Sequence, residues 1–203
     1  MKEMFKDTAI LFVITLISGL VLGFVYDLTK EPIAAQEMQK KNEAYKDVFP
    51  EADSFDELTD ADSAEATALV LGKGYDAAVE ELAAAYNSSG ELLGYVITVT
   101  DHEGYGGDIT FAMGIDREGI CNGVSILSIA ETAGLGMRAE EVLVPQMAGK
   151  DLKEEIAYTK SGNATEKEVD AISGATITTS AFINGVNAGR CVFTEMLQGK
   201  GES

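Results

Sequence analysis

Histidine occurs once in these 203 residues and cysteine twice, at Cys121 and Cys191, with no C-x-x-C or C-x-x-C-H spacing. Iron–sulfur, c-type haem and zinc sites need more of these ligands at closer spacing, so any redox chemistry must come from an organic cofactor. The two cysteines read most simply as small buried hydrophobes; a disulfide between them stays open, because sequence alone gives no distance. Basic residues are also scarce, 15 against 34 acidic ones. The resulting formal charge of −19 repels phosphate backbones, which sets nucleic acid aside as a partner. Internal repeats and extended low-complexity tracts are absent, and the length suits one good-sized folded unit with a small appendage.

Long apolar runs are missing with a single exception. The 19 residues Thr8 to Tyr26 carry no charge, and as a helix they match the hydrocarbon thickness of a bilayer. The stretch after Val25 reads Tyr-Asp-Leu-Thr-Lys-Glu-Pro and offers no small-residue cleavage site, which favours an uncleaved signal anchor over a removed leader. Residues 8–26 are therefore expected to contact membrane lipid. Lys2 and Lys6 lie before the span, and Lys30, Lys40, Lys41 and Lys46 after it, so counting charges does not orient it. Long domains cross largely regardless of charge, and the basic tail is only a few residues long; the expected arrangement is tail inside and domain outside the cytoplasm. The expected organisation is a tail and transmembrane anchor over 1–29, a helical stalk over 30–50, and a folded domain over 51–203.

In the stalk, Pro32 sits where a helix can restart; Ile33 to Val48 is rich in helix formers, and Pro50 ends it. Glu51 to Gly74, acidic and broken by Gly72 and Gly74, reads as surface loops. Leu82 to Tyr86, Leu92 to Thr100, Asp108 to Ile115 and Ile120 to Ile129 read as strands. The connectors Asn87-Ser88-Ser89-Gly90 and Asp116-Arg117-Glu118-Gly119 have hairpin turn chemistry, so an antiparallel meander is predicted. Met137 to Met147 holds a short helix, Ile156 to Thr159 a further strand, and Ala181 to Leu197 a terminal helix packed on the sheet. The fold class is α+β: one N-terminal transmembrane helix, then an antiparallel sheet packed with helices.

The segment Asp170-Ala171-Ile172-Ser173-Gly174-Ala175-Thr176-Ile177-Thr178-Thr179-Ser180 gathers small residues where a helix begins. With Ser173 as N-cap, Gly174 and Ala175 leave backbone N–H groups uncovered, so a phosphate at the Thr176 hydroxyl would meet free donors and the positive end of a helix dipole. An ordinary Ser-capped helix with a threonine-rich first turn explains the same residues, and local physics leaves both readings open. His102, between Asp101 and Glu103, reads as a solvated side chain rather than a metal ligand or acid–base group. The acidic run Glu51 to Glu65 lacks the spacing of a calcium loop.

Asp170-x-x-Ser173-Gly174-Ala175-Thr176 resembles the flavinylation motif of the FMN-binding domains in Rnf and Na⁺-translocating NADH:quinone reductase complexes. Two more segments resemble that family in the same order. Gly104-Tyr105-Gly106-Gly107-Asp108-Ile109 looks like its glycine-rich approach to a strand. Glu131-Thr132-Ala133-Gly134-Leu135-Gly136 looks like its ETPGLG loop, with Ala133 in place of proline. From their composition alone these glycines are turn formers and Glu131 and Thr132 a solvated strand end. The resemblance instead implies cofactor contacts at Glu131, Thr132, Gly134, Leu135, Gly136, Asp170, Ser173, Gly174 and Ala175. It also implies covalent FMN, joined by a phosphoester to Thr176 Oγ and installed by a separate Mg²⁺-dependent flavin transferase that takes FAD as donor. Thr176 is then a tether, with no catalytic nucleophile or metal ligand of the chain's own.

The single anchor and compact length resemble the G-type member of an Rnf complex more than the longer C-type member of the quinone reductase. That implies an electron-relay subunit, not an autonomous catalyst, working with other membrane subunits between reduced ferredoxin and NAD⁺ with coupled Na⁺ or H⁺ transport. An anchored flavin subunit of another reductase, such as the quinone reductase, and a non-redox membrane-anchored assembly module are the alternatives.

Overall fold

The computed structural model describes residues 2–198. It divides into two compact units, 1–40 and 41–203, with the boundary inside one long helix, α1 (Lys2–Val48). In the first unit, an 18-residue window of mean hydropathy 2.5 is wholly unburied, and the helix is long and apolar enough to cross a membrane. Its hydroxyls are turned back on the helix: Thr8 Oγ1 donates to Met4 O at 2.8 Å and Thr15 Oγ1 to Leu11 O at 3.0 Å, so neither is left unpaired in hydrocarbon. Pro32 lies inside α1, which corrects the expected restart there. A mid-helix proline costs about 3 kcal/mol. The helix formers on both sides, Leu28, Glu31, Ala34, Ala35 and Gln36, favour carrying the helix through it.

The second unit is built on a five-stranded antiparallel sheet in the order β1 (Ser54–Glu57), β2 (Ala77–Tyr86), β3 (Leu92–Asp101), β4 (Ile109–Asp116) and β5 (Cys121–Ile129). The predicted meander is present, with both predicted hairpin turns in place. Both faces are covered. On one, Leu82, Ile97, Val99, Phe111 and Met113 join Phe182, Val186 and Phe193 in the main core. On the other, Ala44, Tyr45, Val48 and Phe49 from the last turns of α1 and just beyond pack on Ala83, Ala85, Val96 and Ala112. Small side chains on that second face let a helix lie close to the strands. The union is tied by polar groups: Tyr45 Oη donates to Glu81 Oε1 at 2.8 Å, and Lys41 Nζ to Glu81 Oε2 at 2.8 Å.

Residues 51–74, expected as loops, hold β1 and α2 (Asp60–Gly72). A capping box starts α2: Thr59 Oγ1 accepts from Asp62 N at 3.3 Å, and Asp62 Oδ2 accepts from Thr59 N at 3.1 Å. Ala66 and Val70 bury its inner face, while the exposed Glu65 is part of the acidity that suggested a loop. The short helix expected over 137–147 is three pieces: a 3₁₀ turn Gly136–Arg138, α3 (Ala139–Val142) and a 3₁₀ turn Val144–Gln146. Pro145 cannot continue an α-helix ladder. β6 (Ala157–Thr159) pairs in parallel with β7 (Glu168–Asp170), a strand too short to announce itself in sequence. The last helix, α4 (Thr176–Val192), begins earlier than the apolar pattern from Ala181 indicated.

Candidate cofactor-binding site

The first turn of α4 sets the site. Gly174 has φ +80°, a left-handed conformation that only glycine adopts readily, and it turns the chain so that Ala175 N donates to Ile172 O at 3.1 Å. That turn displaces the expected cap: Ala175, not Ser173, flanks the helix, no side chain caps it, and Ser173 is exposed. The tie comes instead from the buried Thr179, whose Oγ1 donates to Ala175 O at 2.9 Å and accepts from Ile172 N at 3.2 Å. Thr178 is 1% exposed and Thr179 0%, whereas Thr176 is only half-buried. The leading N–H groups of such a helix have no intrahelical acceptor and point at whatever lies before it.

What lies there is a cavity of about 530 Å³, lined by Tyr105, by Glu131, Thr132, Leu135 and Gly136, and by Gly174 to Thr178. Three stretches far apart in sequence thus meet at one place. Glu131 is at their junction. It is 9% exposed, and its Oε1 accepts from Tyr105 N at 2.7 Å and Gly106 N at 3.3 Å, so the reading of a solvated strand end is set aside. Gly136 closes the contact on the far side: a Cβ there would sit 2.6 Å from Thr178 Oγ1 and 2.7 Å from Glu131 Oε2.

Of the residues singled out from sequence, Gly134, Asp170 and Ser173 do not line the cavity. Gly134 makes the turn that presents Leu135, with φ +76°. Asp170 ends β7, where its N–H donates to Gln146 Oε1 at 2.7 Å, and its buried Oδ1 has no partner. Tyr105, Ile177 and Thr178 also line the cavity, and the sequence motifs by themselves do not mark them as contacts. The glycines around Tyr105 were a usable signal for it.

The wall that carries Tyr105 is fastened by carboxylates. Asp101, fully buried at the end of β3, accepts from Glu103 N at 2.9 Å, and burial pushes its carboxyl up to about 7. Glu103 Oε2 in turn accepts from Asn184 of α4 at 2.6 Å. His102 Nδ1 lies 3.1 Å from Asp108 Oδ1, and that contact raises its pKa. Among the described residues no three acidic, histidine or cysteine side chains come together as a metal site. Cys121 and Cys191 are separate buried thiols, and burial pushes Cys121 up to about 12, far from a reactive thiolate. A larger cavity of about 620 Å³ is bounded by charged groups such as Lys150, Asp151, Lys153 and Glu154 and shares no residue with the segments above.

A family model described as the FMN-binding domain matches residues 104–190, and one described as the RnfG N-terminal region matches residues 1–48. The G-type member of the Na⁺-translocating ferredoxin:NAD⁺ oxidoreductase complex of Acetobacterium woodii is 35% identical over 190 residues, covering 92% of this chain and 89% of that protein. The G-type member of the ion-translocating oxidoreductase complex of Methanosarcina acetivorans is 27% identical over 193 residues, covering 92% and 93%. The crystal structure of Shewanella oneidensis NqrC is similar with a TM-score of 0.47 and 20% identity, covering 56% of this chain and 57% of that one.

Proposed function

The chain belongs to the RnfG family, the G-type members of ion-translocating oxidoreductase complexes, and from that premise we propose that it is an electron-relay subunit carrying one FMN on Thr176 Oγ. The observation that carries this reading is the cavity in front of α4, where the half-open Thr176 hydroxyl stands beside the Glu131–Gly136 loop and Tyr105. FMN fits what is there. The volume of about 530 Å³ falls in the range of roughly 300–1,000 Å³ common to cofactor-sized pockets. The first N–H groups of α4 suit the negatively charged phosphate of the diester that the linkage would form. Leu135 and Ile177, both exposed at the rim, suit a flat apolar ring.

Accessibility distinguishes the three neighbouring hydroxyls. Thr179 is enclosed and engaged at both ends of its hydroxyl, Thr178 is enclosed against Gly136, and Thr176 alone of the three is half-open. In maturation the Thr176 Oγ–H bond gives way to an Oγ–P bond; the proton leaves, and FAD supplied by a flavin transferase releases AMP. Once bound, FMN supplies the ability to take up two electrons and pass them on singly. The chain's part is to retain it and hold its position. The α4 N-terminus offsets the phosphate charge, and the covalent bond prevents loss into a compartment poor in free flavin. An open cavity mouth leaves an edge accessible to neighbouring subunits. Ferredoxin and NAD⁺ act elsewhere in the complex. The protein is located in the membrane through α1, with its short basic tail in the cytoplasm and the flavin domain on the opposite side.

Peptide mass spectrometry of the membrane-purified protein, paired with in-gel flavin fluorescence, tests the reading. FMN mass on the Thr176 peptide, lost in Thr176→Ala, is the expected result. An unmodified Thr176 from cells with an active flavin transferase would overturn it.

A further inference from the structure

Tyr105 is 70% exposed, yet its backbone is among the most firmly placed parts of the cavity wall. Its own N–H and that of Gly106 both donate to the nearly buried Glu131 Oε1, and the flanking glycines leave no room for adjustment. A Cβ at Gly106 would lie 2.1 Å from Ala130 O, and one at Gly104 2.0 Å from Gly107 O and 3.0 Å from Glu131 Oε1. The loop is also fastened behind Tyr105 by the hydrogen bonds of Asp101 to Glu103 and of Glu103 to Asn184. Glycine on either side of an aromatic residue usually means freedom; here it permits close backbone packing. A large aromatic ring held at a cavity mouth from its backbone, without being needed in the core, has a surface free for a ligand.

We propose that Tyr105 is the aromatic wall against which the isoalloxazine ring packs, and that Glu131 is the positioning residue that fixes Tyr105 there. This rests on the reading that the cavity takes FMN. Glu131 acts through the two N–H groups it accepts, so an amide oxygen in its place preserves the effect and a methyl group abolishes it. Leu135 and Ile177, which line the same cavity, are the apolar groups available to the rest of the ring.

A tyrosine in contact with a flavin quenches its fluorescence by donating an electron to the excited ring, which phenylalanine cannot do. The test is the fluorescence yield and lifetime per covalently bound FMN in the full-length detergent-purified protein, with flavin load measured separately by absorbance. Tyr105→Phe keeps the ring shape and is expected to raise the yield per bound flavin at least threefold. Glu131→Ala is expected to raise it as well, and Glu131→Gln to return it close to wild type. Flavin on Thr176 with equal yields in wild type and Tyr105→Phe overturns the contact. A rise in Tyr105→Phe with no change in Glu131→Ala overturns the positioning role. Wild-type protein without flavin overturns the FMN reading itself, and this inference with it.

Discussion

Gly136→Ala isolates the contact on which the site is assembled. An added methyl would meet Thr178 Oγ1 at 2.6 Å and Glu131 Cβ and Oε2 at 2.7 Å, all well inside van der Waals contact. Gly136 has no positive φ, so the perturbation is steric and not conformational. None of the three neighbours can easily withdraw. Thr178 is on the enclosed face of α4, and Glu131 holds the backbone of Tyr105 and Gly106. Overpacking of this kind costs about 1–3 kcal/mol. For a unit of this size that lowers the melting temperature by about 2–12 °C. The loop over 131–136 should move away from α4 to relieve the clash, widening the cavity and lowering the fraction of chains that carry FMN. Gly72→Ala is the matched control, because a Cβ there meets nothing within 4 Å. Thermal unfolding in detergent and in-gel flavin fluorescence would be read on the same preparations. Gly136→Ala with wild-type melting and wild-type flavin load would refute the claim that these contacts assemble the site.

Asp101→Asn should change how stability depends on pH. Desolvation by burial raises the native carboxyl from 3.8 to about 7, with nearby Glu103 and Asp76 adding to it against the Glu103 N–H and His102. The native state therefore holds a proton that the unfolded state releases above about pH 4. Wild-type stability should fall by at most about 1.4 kcal/mol per pH unit up to pH 7 and level off above it. The asparagine variant lacks this slope, so its advantage over wild type should be greater at pH 8 than at pH 5; parallel denaturation curves would contradict the assignment. Asn187→Ala strips two 2.9 Å hydrogen bonds from the backbone N–H and C=O of Ile156. Leaving both groups unpaired should cost about 2–4 kcal/mol, read as a lower urea midpoint at unchanged slope.

The elements most legible in sequence were those whose signal is local. An uncharged 19-residue run needs no partner to be a candidate span, and turn residues between β-rich runs announce hairpins whatever covers the sheet. Elements that depend on a distant partner were harder to read. α2 was hidden in an acidic stretch because only packing of Ala66 and Val70 distinguishes its inner face. The start of β2, Ala77-Ala78-Val79-Glu80-Glu81, is mostly alanine and glutamate, poor strand formers, and it is a strand because β3 pairs with it. Pro32 ordinarily interrupts a helix and Ser173 ordinarily caps one; here α1 runs through Pro32, and the Gly174 turn moves the start of α4 past Ser173.

Sequence order alone carried the anchor, the meander and the three segments that resemble one family, since each rests on residues adjacent along the chain. Tertiary structure decided the rest of the site. It joined Tyr105, the Glu131–Gly136 loop and the first turn of α4 around one cavity, buried Glu131 against two N–H groups, and left Thr176 the half-open hydroxyl of the three. The physical reason is that burial and hydrogen-bond partnership are properties of neighbours in space. Along the chain Thr176, Thr178 and Thr179 look alike, and only packing on the sheet and on Gly136 makes them different.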